Sequence, residues 1–390
     1  MRSQAAAPRI LVSGDLLRPR VEAGALRSMQ NENIRWLFRL LRRALGEAAG
    51  EAPGCVLWGQ GFDTPGFYAA CGEEIGIESW ARLYAADSLP EGALAVVERA
   101  FAGAAAAIAF EMPPVLRDAL ALLGVPVIDL AIHPVRFGPD IFFAADSSHP
   151  DCYAALLGFH VPPRRFDAWA DLLAATAAKL GPEELPGDLL VLGQTRGDRS
   201  LVEGGRLRDL ADAAPALRRL AAAHRGVMFR PHPYDGGDFG LLRAGIPFRR
   251  LHRAEGSVYA LLAHEELAGV AALSSSVLME ARHFGKSAHA LGRLPFRLAE
   301  ERQDAAPGRQ LSLVEGWLDA DLWRAALAPV MAVTAPDGHR YRPPANALRL
   351  ALRNFWGFNE ITTDYLVELR SFAAAPGWSA SARPAMAAQR

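Results

Sequence analysis

Lysine is almost missing from this chain of 390 residues: Lys179 and Lys286 stand against 40 arginines. With so much alanine beside it, that bias is the mark of a GC-rich genome. It lends each lysine slight interest. Charge imbalance is missing too. The formal net charge is -1, so no overall field draws the chain to nucleic acid or to a membrane. Cysteine is scarce: Cys55, Cys71 and Cys152 stand far apart, form no CxxC pair and give no disulfide framework. A reduced, cytoplasmic compartment is the expectation. The apolar run at 102–110, AGAAAAIAF, is too short to span a bilayer and ends at Glu111. There is no HExxH, no clustered DxD and no GxGxxG after a strand, so neither a metal nor a bound cofactor is expected.

What is present is a globular composition, with 51% hydrophobic and 22% charged residues, which excludes a disordered chain. The length suits two domains better than one core. Short apolar runs alternate with amphipathic stretches. RILVSG (9–14), GCVLWG (54–59), AIAFE (107–111) and PVIDLAIHP (126–134) predict strands, with helices over 31–49 and 90–104 among them. The opening MRSQAAAPRILVSG reads as leading into a first strand rather than as a signal peptide. Within the first helix, RWLFRLLRR (35–43) carries arginines between apolar residues. It suits a helix packed on its own domain, with attachment to a membrane surface or a partner as the alternative. After a helix from 164, GPEELPGD marks a boundary. A second series follows, with strands in DLLVLGQ (188–194), GVMFRPHP (226–233), PFRRL (247–251), GVAALSSS (269–276) and SAHALG (287–292).

Alternating strands and helices imply parallel sheets covered on both faces. The expected fold is α/β, with two Rossmann-like domains facing a cleft. The boundaries are 1–185 for the first domain, 186–335 for the second and 336–375 for a helical return to the first. A disordered tail is expected over 376–390. Sugar-nucleotide transferases, periplasmic binding proteins and epimerases share such an architecture, so fold alone does not choose among them.

Three strands end abruptly in polar residues, where an open α/β sheet binds ligands. In GQTRGDRS, Gln194 and Asp198 follow a strand. Asp198 suits a nucleophile or a general base, and equally the N-cap of the next helix. In FRPHPYD, two prolines stiffen the loop around His232, with Arg230 and Asp235 beside it. The pair His232 and Arg230 suits a phosphate or a carboxylate, or a structural loop. In ALSSSVLMEARHFGK, Ser274, Ser275 and Ser276 offer hydroxyls and backbone N–H groups to a phosphate. Glu280, one helical turn on, suits a ribose. A capped helix with an acidic first turn explains the same residues. Lys286 is either a ligand group or an ordinary surface residue. In the first half, AFEMPP sets Glu111 at a strand end as an acid or base. IHPVRFGPD adds His133, Arg136 and Asp140, which suit an anionic or sugar acceptor or simply a structural loop.

In combination and order, AFEMPP, IHPVRFGPD, QTRGDRS, FRPHP and SSSVLMEARHFGK resemble the retaining β-Kdo transferases of capsule polysaccharide and O-antigen assembly. The resemblance runs over roughly 107–292. It implies a GT-B-like glycosyltransferase that moves Kdo, an eight-carbon keto-sugar acid, or a related ulosonic acid, from its CMP-sugar to a glycan or glycolipid acceptor. An inverting transferase using another nucleotide sugar or polyol phosphate, and an inactive glycan-assembly subunit, are the alternatives. It further implies Asp198 as nucleophile, Glu111 as the acceptor's base, and His232 with Arg230 on the departing phosphate. Ser274, Ser275 and Ser276 would bind that phosphate, Glu280 the ribose, and Gln194 would orient the donor. Lys286 joins the donor side, and His133 and Arg136 the acceptor side. The expected partners are a CMP-sugar and an acceptor, with peripheral inner-membrane or capsule-assembly partners left open and nucleic acid not expected. The family's large capsule enzymes carry two catalytic modules, whereas this chain has room for one.

Overall fold

The computed structural model describes residues 9–178, 184–195, 197–232, 250–254, 257–336 and 346–356. It is a mixed α/β structure built on two main sheets. The first runs in the order Leu311–Leu313, Phe143–Ser147, Val127–Ile132, Ala104–Phe110, Arg9–Gly14, Gly54–Cys55. Its four strands from Val127–Ile132 to Gly54–Cys55 are mutually parallel, and Phe143–Ser147 runs against both of its neighbours. Alternate residues divide between two cores, as the two-residue period of a strand requires. Ile10, Val12, Ile108 and Leu130 point one way. Leu11, Ala107, Ala109 and Val127 point the other.

The helix Asn31–Ala49 covers the first of these faces. It buries Ile34, Leu37, Leu41, Ala44, Leu45 and Ala48, one apolar stripe at helical spacing. Gly50 closes it at φ 73°, a left-handed position that glycine takes freely. The arginine-rich stretch 35–43 is therefore part of a helix packed on its own sheet. Among the described residues no helix is long and apolar enough to cross a membrane.

The second sheet is wholly parallel, in the order Leu251–Arg253, Val227–Arg230, Leu189–Leu192, Gly269–Ala272, Ser287–Ala290. It too has a core on each face. The chain starts in the middle, winds to one edge, then crosses back to build the other. The strand order thus reverses between Leu189–Leu192 and Gly269–Ala272. In the first sheet it reverses between Arg9–Gly14 and Ala104–Phe110. At such points loops leave in opposite directions and open a crevice.

Of the expected strand PFRRL (247–251), residues 247–249 lie outside the described residues, and the strand found there is Leu251–Arg253. The other expected strands form, with three differences. GCVLWG divides into Gly54–Cys55 and Leu57–Trp58. Phe143–Ser147 and the three-residue Leu311–Leu313 are additional members of the first sheet. Leu311–Leu313 lies inside the stretch 186–335 that the sequence assigns to the second domain. The helix Ala320–Leu327 follows it and buries Leu322, Trp323, Ala326 and Leu327 in the first sheet's core. The return therefore begins well before residue 336. Lys179, Asp235 and the tail 376–390 lie outside the described residues.

Candidate functional site

A cleft of about 210 Å³ lies between the strand ends of the two sheets. From the second sheet come Gln194, Asp198, Arg230 and His232, then Ser274, Ser275, Ser276 and Glu280. From the first come Glu111 and Arg136. Ten of the twelve residues to which the resemblance gives a role thus line one cavity.

Gln194 and Ser274 stitch together the ends of the two central strands. Ser274 N–H donates to Gln194 Oε1 at 2.8 Å, and Gln194 Nε2 donates to Ser274 Oγ at 2.8 Å. The Ser274 hydroxyl in turn donates to Ser200 Oγ at 2.9 Å. These groups are mutually satisfied, so they shape the cleft wall. Ser275 and Ser276 follow on its surface, and Ser275 Oγ accepts from Val277 N–H at 3.3 Å. Thr195 Oγ1 lies 2.8 Å from His232 Nδ1 and 3.1 Å from its Nε2.

Asp198 is the cap that the sequence offered as one of its readings. Its Oδ1 accepts from Ser200 N–H at 2.8 Å and caps the short turn Arg199–Leu201. The carboxylate also lines the cleft. Burial would raise its pKa, but the Arg18 charge, the Ser200 N–H and the Arg199 charge outweigh burial and hold it below the ordinary value.

Across from it, Glu111 sits at φ 53°, a left-handed conformation that a non-glycine residue rarely adopts. Its Oε2 lies 3.2 Å from Arg199 Nε. Arg199 crosses from the second sheet to make that pair, and its guanidinium lies 5.6 Å from the centre of the Phe296 ring. Burial works against the charge on Arg199, yet the negative charges of Glu111, Asp129 and Asp198, with Tyr84, raise its pKa.

Glu280 is buried, and burial pushes its carboxyl up to about 7 against the pull of the Arg136 N–H, the charges of Arg136 and Arg349, and Tyr259. Its Oε1 accepts from Arg136 N–H at 2.7 Å and from the Tyr259 hydroxyl at 3.0 Å. It therefore ties the loop after Ile132 to the second sheet. Arg136 turns its side chain to the cleft, with a buried Nε that has no partner among the described residues.

Two expected site residues stand elsewhere. His133 is wholly buried. Its Nδ1 accepts from Val135 N–H at 3.1 Å and its Nε2 meets Ser312 Oγ at 2.9 Å. Burial holds its pKa down at about 3, so it is a neutral core histidine. Lys286 precedes Ser287–Ala290, at the end of the parallel sheet opposite the cleft, and donates to the His264 carbonyl at 2.7 Å. Asp140 is a cap: its carboxylate accepts from Leu348 N–H and Arg349 N–H at the start of the helix Ala347–Trp356.

Arg199, Thr195, Tyr259 and Phe296 complete the cleft without having been singled out in the sequence. Arg199 and Thr195 lie within GQTRGDRS, but nothing in the local pattern separates Arg199 from 39 other arginines.

The fold and site together define a doubly wound α/β protein with a cleft rich in guanidinium and carboxylate groups. Compared with known proteins, the chain matches no family profile and no curated sequence. Among solved structures it is similar to Thermosulfurimonas dismutans KpsC, a beta Kdo 2,7 transferase. The TM-score is 0.32 and the identity 14%, over 57% of this chain and 85% of that one. A likeness of that size establishes neither a common fold nor a common activity.

Proposed function

We propose that this chain is a retaining glycosyltransferase of the β-Kdo type, with the cleft as its active site. Each main sheet would centre one domain of a GT-B-like pair. One observation carries the proposal. A negatively charged Asp198 faces the same cavity as Arg230, His232, Ser275 and Ser276 on its own sheet and as Glu111 on the other.

CMP-Kdo would place its phosphate against Arg230, His232 and the two serines. Departure of CMP needs charge stabilisation more than a strong acid, since it leaves as a phosphate monoester. The free oxygen of Asp198 would attack the anomeric carbon as the bond to the phosphate oxygen breaks and its electron pair stays on CMP. An acceptor hydroxyl would then give its proton to Glu111 and displace Asp198, which restores the original configuration. Arg136, which lines the cleft, would meet an anionic group of the substrate. Gln194, Ser274 and Glu280 would act by holding the cleft's shape. Neither a metal nor a bound cofactor takes part. The protein would work in the cytoplasm, where peripheral contact with the inner membrane would bring a glycolipid or glycan acceptor.

Intact mass spectrometry after incubation with CMP-Kdo tests this. The wild-type chain should gain one Kdo residue, and Asp198→Ala none. Glu111→Gln should accumulate the adduct and lower turnover by about 100-fold or more. Transfer of Kdo to an acceptor with release of CMP, but with no adduct in either the wild type or Glu111→Gln, would point to an inverting transferase instead. Adduct formation by Asp198→Ala would remove that residue from the mechanism.

A further inference from the structure

A second cavity, of about 670 Å³, adjoins the cleft and shares Phe296 with it. Met279, Leu298 and Phe296 form its apolar floor, in a small cluster that also takes in Ala144 of the first sheet. One wall is the sheet edge Ser287–Ala290. There the alternate residues Ala288 and Ala290 are both exposed and so share a face. Three exposed arginines, Arg282, Arg297 and Arg309, stand among the lining residues with a single carboxylate, Glu300.

The ion pairs Arg282–Glu300 at 3.5 Å and Arg309–Asp304 at 3.3 Å are solvent-exposed. Such pairs contribute little and yield readily to a better anion. Arg297 has no ion-pair partner among the described residues. An apolar floor beside three guanidiniums calls for a ligand with both characters.

We infer that this cavity binds an amphiphilic phosphate, its chain on Met279 and Phe296 and its head on Arg282, Arg297 and Arg309. Arginine suits the head because its planar fork matches phosphate oxygens. A molecule held there would lie one side chain away from the cleft, across Phe296. That it serves as the transferase's acceptor rests on the function proposed above; that the cavity takes an amphiphilic phosphate does not.

The test is calorimetric titration of the full chain with decyl phosphate below its micelle concentration. Two variants probe the cavity: Arg297→Ala at an exposed cation, and Ala290→Trp, which fills the space from an exposed position at little risk to folding. Decyl phosphate should bind the wild type, about tenfold more weakly Arg297→Ala, and Ala290→Trp not at all. Inorganic phosphate and decyl maltoside should each bind at least about tenfold more weakly, since each lacks one of the two features. Equal binding by Ala290→Trp, or by either control ligand, would overturn the assignment. Asp198→Ala should bind decyl phosphate like the wild type, whereas a loss there would put the ligand in the cleft. Binding without any Kdo transfer would leave this site standing and remove the transferase.

Discussion

At the scale of single residues, the cleft is held by side chains that burial makes costly. Glu111 adopts a left-handed backbone, a strain on the order of 1 kcal/mol, and does so where it meets Arg199. Glu280 is the clearest case. Its carboxyl is raised to about 7, so between its ordinary value of 4.5 and 7 the folded chain keeps a proton that the unfolded chain has shed. Stability from this group therefore falls as pH rises through that window and levels off above it. Asp15 and Asp129, both pushed up to about 6 by burial, act in the same direction. His133, held near 3, acts in the opposite one. Replacing Glu280 alone isolates its share. Glu280→Gln keeps an acceptor for the Arg136 N–H and the Tyr259 hydroxyl but has no proton to lose. Urea unfolding should find it close to wild type at pH 4.5 and more stable at pH 8, by up to about 3 kcal/mol. A gap that does not change with pH would mean that Glu280 is an ordinary carboxylate.

At the scale of elements, two neighbouring strands leave no room for a side chain at Gly14. A Cβ on Gly14 would stand 2.4 Å from the Phe110 carbonyl oxygen and 2.9 Å from Ile34 Cγ1. Gly14→Ala must therefore push Arg9–Gly14 away from Ala104–Phe110, at the ends that carry Asp15 and Glu111. The expected loss is about 2 kcal/mol in urea unfolding, and full stability would show that the sheet absorbs the methyl group. These strands were legible in the sequence because Arg9–Gly14, Ala104–Phe110 and Leu189–Leu192 are apolar and end at sharp polar or glycine stops. The strands Phe143–Ser147 and Leu311–Leu313 were not. The first follows a Pro- and Gly-rich loop, and the second is three residues whose pairing comes from segments distant in sequence. Strand-end position picked out Asp198, Glu111 and His232, which line one cavity. It mistook His133, which also ends a strand but turns into the core. Side-chain direction after the last paired residue is set by tertiary packing, and no local pattern encodes it.

At the scale of the whole molecule, the first sheet is not completed by its own half of the chain. Leu311–Leu313 supplies its outer strand, and Trp323 from Ala320–Leu327 is wholly buried in the same core as Ile10 and Val12. Tyr153 adds a tie, its hydroxyl donating to the Arg309 carbonyl at 2.8 Å. Residues 1–186 alone would thus expose the face of Phe143–Ser147 and of Asn31–Ala49 that the returning segment covers. Leaving two buried tryptophans, Trp317 and Trp323, out of a core removes several kcal/mol, comparable with the whole stability of a domain. A fragment of residues 1–186 should therefore show no cooperative urea transition. Adding residues 297–356 in trans should restore one if the missing strand and helix are the cause. A sharp transition in the fragment alone would mean that the return decorates the first sheet rather than completing it.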